Sequence, residues 1–123
     1  MKLRIRGNSI RLRLTQSDVG RLAVEGRVEE ATEFGSGTLK YAIVAASDGH
    51  VKAEFEDNTI TVSVPENLIA AWADSEQVGI DGTHSIPDGE LRIQIEKDFA
   101  CLKPRAGEDD ADTFTNPLAA GNG

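Results

Sequence analysis

Five cations alternate with apolar residues on either side of a Gly-Asn pair: Lys2, Arg4 and Arg6 before Gly7-Asn8, Arg11 and Arg13 after it. Alternation folded at a two-residue turn predicts a β-hairpin of type II′, pairing Arg6 with Ser9, Ile5 with Ile10, Arg4 with Arg11, Leu3 with Leu12 and Lys2 with Arg13. One face of that hairpin is aliphatic and the other cationic. Like charges directly opposite each other destabilise a strand pair by up to roughly 1 kcal/mol, so this face wants an anion. Arg4, Arg6, Arg11 and Arg13 are therefore the candidate anion- or partner-binding residues. Two partners fit the chemistry, the phosphate of DNA and the acidic side of a protein.

The other residues able to do chemistry are scattered. His50 and His84 fall in predicted turns, with no Ser or Cys pattern that would make a relay. Cys101 lacks the paired Cys/His spacing of a zinc site and reads as a buried apolar residue. Glu54, Glu56 and Asp57 read as a solvated strand face. With Cys101, the two glutamates are the only groups on which a rival reading, a small-molecule or metal-binding enzyme, could be built. No phosphate loop of the Walker or dinucleotide type is present, and no cofactor is expected. Glu108, Asp109, Asp110 and Asp112 form an acidic run with three readings open: a solubilising tail, a strap lying on the protein's own Arg face, or an arm for another protein.

The elements that position these residues follow in order. Thr15-Gln16-Ser17-Asp18 supplies caps for a short helix through Val19, Leu22 and Ala23, ending near Gly26. Two alternating runs then read as strands, Val28 to Phe34 and Leu39 to Ala45, separated by Gly35-Ser36-Gly37. Val51 to Phe55 and Ile60 to Val64 form a second hairpin about Asp57-Asn58. Pro65-Glu66-Asn67 opens a second helix, proline suiting a first helical position, with Leu68, Ile69 and Trp72 on its core face. Val78 and Ile80 make a short strand, His84 to Gly89 a loop, and Leu91, Ile93 and Ile95 a last strand.

A shift of fifty positions superimposes this pattern on itself. Ile5 falls on Phe55, Gly7-Asn8 on Asp57-Asn58, Ile10 on Ile60, Leu12 on Val62, Val19 on Ile69 and Leu22 on Trp72. At the same shift Val28 meets Val78, and Tyr41, Ile43 and Ala45 meet Leu91, Ile93 and Ile95. The chain is thus a duplication of a hairpin-helix-strand-strand unit, repeat one spanning about 2–46 and repeat two about 51–96. Between the halves Arg4 and Arg6 become Glu54 and Glu56, while Arg11 and Arg13 become Thr61 and Ser63.

Arg6-Gly7-Asn8-Ser9-Ile10-Arg11-Leu12 followed by a helix and two strands, together with Val62-Ser63-Val64-Pro65-Glu66-Asn67-Leu68, resembles the swapped-hairpin domain of AbrB- and MazE-type proteins. That resemblance implies a mainly-β α+β fold, a single-chain barrel of two pseudo-symmetric repeats that exchange hairpins. It also implies a non-enzymatic binding or regulatory module, DNA-binding or antitoxin-like, with Arg4, Arg6, Arg11 and Arg13 as the carriers. Glu54, Glu56 and Asp57 depart from that pattern, since they would repel phosphate. From Ile95 through Leu102 and Glu108 through Asp112, the chain is also similar to a family of small uncharacterised bacterial proteins.

Composition sets the frame. A chain of 123 residues with 39% hydrophobic and 28% charged residues suits one core, here the barrel domain over 1–102 with an irregular acidic tail over 103–123. Net charge is −8. Residues 2–50 carry eight Lys/Arg against six Asp/Glu, while 51–100 carry three against eleven. An acidic whole argues against unspecific nucleic-acid binding but leaves room for a local anion site. One cysteine, no signal-peptide pattern after Met1 and no long apolar run lead to the expectation of a cytoplasmic protein without a membrane span. It is expected to be a monomer acting as its own pseudo-dimer, with further self-association left open.

Overall fold

The computed structural model describes residues 1–47, 49–99 and 114. These form eight strands and two helices in the order β1 (Lys2–Arg6), β2 (Ser9–Leu14), α1 (Gln16–Glu25), β3 (Arg27–Glu33), β4 (Thr38–Ala46), β5 (Lys52–Glu56), β6 (Thr59–Pro65), α2 (Glu66–Ala73), β7 (Gly79–Ile86) and β8 (Gly89–Lys97). The protein is mainly β, of the α+β class.

The first hairpin has the expected register, Lys2 opposite Arg13 through Arg6 opposite Ser9. Gly7 takes φ +54° and Asn8 has no positive φ, as a type II′ turn requires. In the second hairpin Asp57 and Asn58 both adopt positive φ, 51° and 58°, the pattern of a type I′ turn that Asp and Asn tolerate best. Helix α1 starts at Thr15, whose hydroxyl accepts from the Asp18 N–H while the Asp18 carboxylate accepts from the Thr15 N–H, and ends on left-handed Gly26. Pro65 is the N-cap of α2 and not its first helical residue, and it makes no side-chain capping bond.

The strands form two four-stranded sheets, ordered β1-β2-β8-β7 and β3-β4-β6-β5. Each sheet therefore joins a hairpin from one half of the chain to a strand pair from the other. β2 runs parallel to β8, and β6 parallel to β4. The expected barrel is not closed: among the described residues β1 and β3 are not paired, nor are β5 and β7. Side chains bridge both seams instead. At one, the Met1 ammonium lies 2.8 Å from Asp18 Oδ2 and 2.6 Å from Glu30 Oε2. At the other, the Ala53 N–H donates to His84 Nδ1 at 3.3 Å and Val51 packs on Gly82.

The register corrects the repeat. The hairpins match at fifty positions, Lys2–Arg13 corresponding to Lys52–Ser63, but the later strands match at fifty-two, Arg27–Val44 corresponding to Gly79–Glu96. Val28 is thus the counterpart of Ile80 and Ile43 of Ile95. A net two extra residues lie between β6 and β7, α2 being two residues shorter than α1 and the link after it four longer. Because the insertion is even it preserves inside-outside alternation. Cross-half bonds obey the corrected match: Arg92 N–H donates to Asn8 O at 3.1 Å and Lys40 N–H to Asn58 O at 3.0 Å.

The core lies between the sheets and under the helices. Leu12, Leu14, Ile43, Val62, Val64, Ile93 and Ile95 fill the centre, and Val19, Leu22, Ile69 and Trp72 seal it from the helices. The predicted loop from His84 is a correction, since Asp81 to Ile86 continue β7. Its inward positions, Gly82 and His84, lack the aliphatics that mark a strand because they lie at the seam against Val51 and Ala53.

Candidate functional site

The outer face of the first sheet is set by its register. Three rows cross it: Arg6, Ser9, Arg92 and Thr83; Arg4, Arg11, Gln94 and Asp81; Lys2, Arg13, Glu96 and Gly79. All four arginines expected to form the site are brought together here. Arg92 joins them from the other half of the chain, a cation the hairpin alone did not reveal.

Strand β8 and Asp98 just beyond it neutralise one end of this face. Glu96 Oε1 lies 3.2 Å from Arg11 Nε and 3.9 Å from Arg13 Nε, and the nearly buried Asp98 carboxylate lies 3.2 Å from Lys2 Nζ. Arg11 also donates from Nη2 to Gln94 Oε1 at 3.2 Å. Arg13 thus belongs to the paired rim. Towards the turn the balance reverses, because Arg4, Arg6 and Arg92 make no ion pair among the described residues. There Arg4, Arg6, Arg11, Ser9 and Gln94 line a recess of about 270 Å³. Guanidinium donors beside a hydroxyl and an amide suit a compact oxyanion, phosphate or carboxylate.

The recess has no counterpart in the second sheet. At its equivalent positions stand Glu54, Glu56, Thr59 and Thr61, with Ala42 where the first sheet has Gln94, and Lys40 takes the place of the neighbouring Arg92. Glu54 pairs loosely with Lys52 at 3.8 Å. Among the described residues no group of three or more His, Cys, Asp and Glu could hold a metal ion. His50 is exposed, whereas His84 lies partly buried in β7 and holds the β5–β7 seam, correcting its assignment to a turn.

Glu108, Asp109, Asp110, Asp112 and Cys101 lie outside the described residues. Phe114 does meet the body of the protein. Its N–H donates to Asp98 O at 2.8 Å, its ring packs edge-on to Phe99 at 6.0 Å, and the buried Lys97 ammonium lies 5.4 Å from it. Lys97 also donates to Ser75 O at 2.6 Å and sits 5.9 Å from the Trp72 ring. Phe114 therefore lies at the Asp98–Lys2 end of the face, away from the recess beside the turn.

Fold and site together define a mainly-β protein of two matched halves, only one of which carries a cationic recess. The chain belongs to the DUF7009 family, a family of unknown function, whose model matches residues 1–118. No curated protein and no solved structure matches it. No helix among the described residues is long and apolar enough to cross a membrane.

Proposed function

We propose that the protein is a non-enzymatic binding module of the AbrB/MazE swapped-hairpin kind, and that its first hairpin takes an anionic group into the recess of Arg4, Arg6 and Arg11. The observation that carries this reading is the convergence of Arg4 and Arg6, both without an anionic partner among the described residues, on Arg11, Ser9 and Gln94. The sheet order supports the family likeness, since each sheet combines a hairpin of one half with strands of the other. A carboxylate-bearing partner fits better than duplex DNA. Glu54 and Glu56 stand where a two-fold reader of phosphates would need cations.

The test is fluorescence anisotropy with a labelled oligoaspartate peptide and a labelled DNA duplex, at two salt concentrations. The peptide should bind, and the double variant Arg4→Ala/Arg6→Ala should weaken it about tenfold or more, as expected when charge-assisted hydrogen bonds are lost. Tight duplex binding that falls steeply with salt would assign the site to phosphate of DNA instead. Binding of neither probe would overturn the reading.

A further inference from the structure

Arg11 stands directly across the hairpin from Arg4, and like charges so placed push apart. What holds Arg11 at the recess comes from the other half of the chain. Gln94, its neighbour on β8, accepts through Oε1 from Arg11 Nε at 3.4 Å and from Nη2 at 3.2 Å, and Glu96 Oε1 lies 3.2 Å from the same Nε. A guanidinium carries five N–H donors in a rigid fork. Both acceptors meet it on the Nε side, so Nη1 makes no bond among the described residues. The side chains of Arg11 and Glu96 are 32% and 27% exposed, a setting in which charge-assisted bonds are less screened than on an open surface. With Oε1 committed to Arg11, Gln94 has only its NH2 group left to offer, and Gln94 also lines the recess. A free donor there again suits an anion.

The second sheet serves as an internal control. There Thr61 takes the place of Arg11, Ala42 that of Gln94 and Val44 that of Glu96, so the arginine and both its acceptors are present together or absent together. We infer that Gln94 and Glu96 are positioning residues of the recess: they grip Arg11 along its Nε side and leave its Nη side for an incoming oxyanion. This rests on the reading of that recess as an anion site and adds the residues that prepare it. The two acceptors differ in what they do to an anion. Gln94 holds Arg11 without carrying charge, whereas Glu96 holds it and also offsets the field of Arg11 and of Arg13, 3.9 Å away. Removing the Gln94 acceptor should therefore weaken anion binding. Removing the Glu96 charge while keeping an acceptor should strengthen it.

The test uses the full chain, with a labelled oligoaspartate peptide in fluorescence anisotropy and nitrogen relaxation of the Arg11 Nε–Hε group in NMR. Gln94→Leu deletes the acceptor without changing charge, on the outer face of the sheet, and should leave the circular dichroism spectrum unchanged. It should raise the peptide dissociation constant about fivefold, as expected for the loss of one hydrogen bond, and Arg11 Nε should become more mobile than in the wild type. Glu96→Gln should lower the dissociation constant about twofold or more, with Arg11 Nε still ordered. A Gln94→Leu chain that binds as tightly as the wild type, an Arg11 Nε equally mobile in both, or a Glu96→Gln chain that binds no more tightly, overturns the inference. A wild type that does not bind the peptide removes the reading of the recess and this role with it. A wild type that binds, with Gln94→Leu binding equally, removes the positioning role alone.

Discussion

At the scale of single residues, the two seams show one structural position solved by opposite chemistry. At the first, the Met1 ammonium sits between Asp18 and Glu30, with Tyr41 paired to Glu30 across the strands. The matched residues at the second are Val51, Leu68, Gly82 and Ile93, and the charges are gone. Burial pulls the Met1 ammonium pKa down, but hydrogen bonds and charge from Asp18 and Glu30 outweigh it, and the pKa lies above its ordinary 8.0. Burial raises the Asp18 pKa, but the ammonium and Thr15 outweigh it and hold the carboxyl below its ordinary 3.8. Burial, then the charges of Glu30 and Asp18, push the Tyr41 phenol up. A lowered carboxyl pKa stabilises fully above the ordinary value of 3.8 and is lost as pH falls through the folded value. A raised ammonium pKa stabilises fully below the ordinary value of 8.0 and is lost as pH rises through the folded value. Melting temperature should therefore be level in between and fall on both sides. Asp18→Asn should cost about 1–3 kcal/mol near neutral pH and flatten both limbs; a pH profile like the wild type's would refute the cluster. At the other seam a Cβ on Gly82 would lie 2.6 Å from that of Val51. Gly82→Ala should cost about 1–3 kcal/mol by overpacking, and less when introduced into a Val51→Gly chain, which lacks the Cβ it would meet, as read by denaturant unfolding.

At the scale of elements, the helices differ in how they begin. Thr15 and Asp18 cap α1 reciprocally, whereas Pro65 gives α2 only its fixed φ. Thr15→Ala should destabilise by about 1 kcal/mol in urea unfolding, and a null effect would mean that packing on Leu22 holds the helix by itself. Most elements were legible because their signals are local: the Gly7-Asn8 and Asp57-Asn58 turns, the Thr15 cap, the Gly26 stop and the alternation of Leu39 to Ala45. The second half of strand β7 was not, because Gly82 and His84 face a neighbouring strand edge and carry no aliphatic signal. The two residues inserted before β7 also escaped, since alternation has a period of two and an even insertion leaves every residue on its own face.

At the scale of the whole molecule, two halves of matching register share a symmetric core beneath asymmetric surfaces. Ile43–Val62 in one sheet and Ile95–Leu12 in the other are matched pairs of fully buried residues, while the outer rows above them diverge in charge. The four hairpin arginines were legible as a face. Their neighbours were not, because Arg92, Gln94 and Glu96 come beside them only through pairing of β2 with β8, more than eighty positions along the chain. That pairing divides the face: Glu96 and Asp98 answer Arg11, Arg13 and Lys2, while Arg4 and Arg6 have no anionic partner among the described residues and line the recess proposed as the anion site. The most direct measurement is a titration of the isotope-labelled protein with inorganic pyrophosphate, following the arginine Nε–Hε resonances by NMR. Arg4, Arg6 and Arg11 should shift together and saturably, while Arg21 and Arg27, on α1 and β3, stay in place. Uniform drift of all the arginines, or no shift at Arg4 and Arg6, would contradict an anion site at this recess.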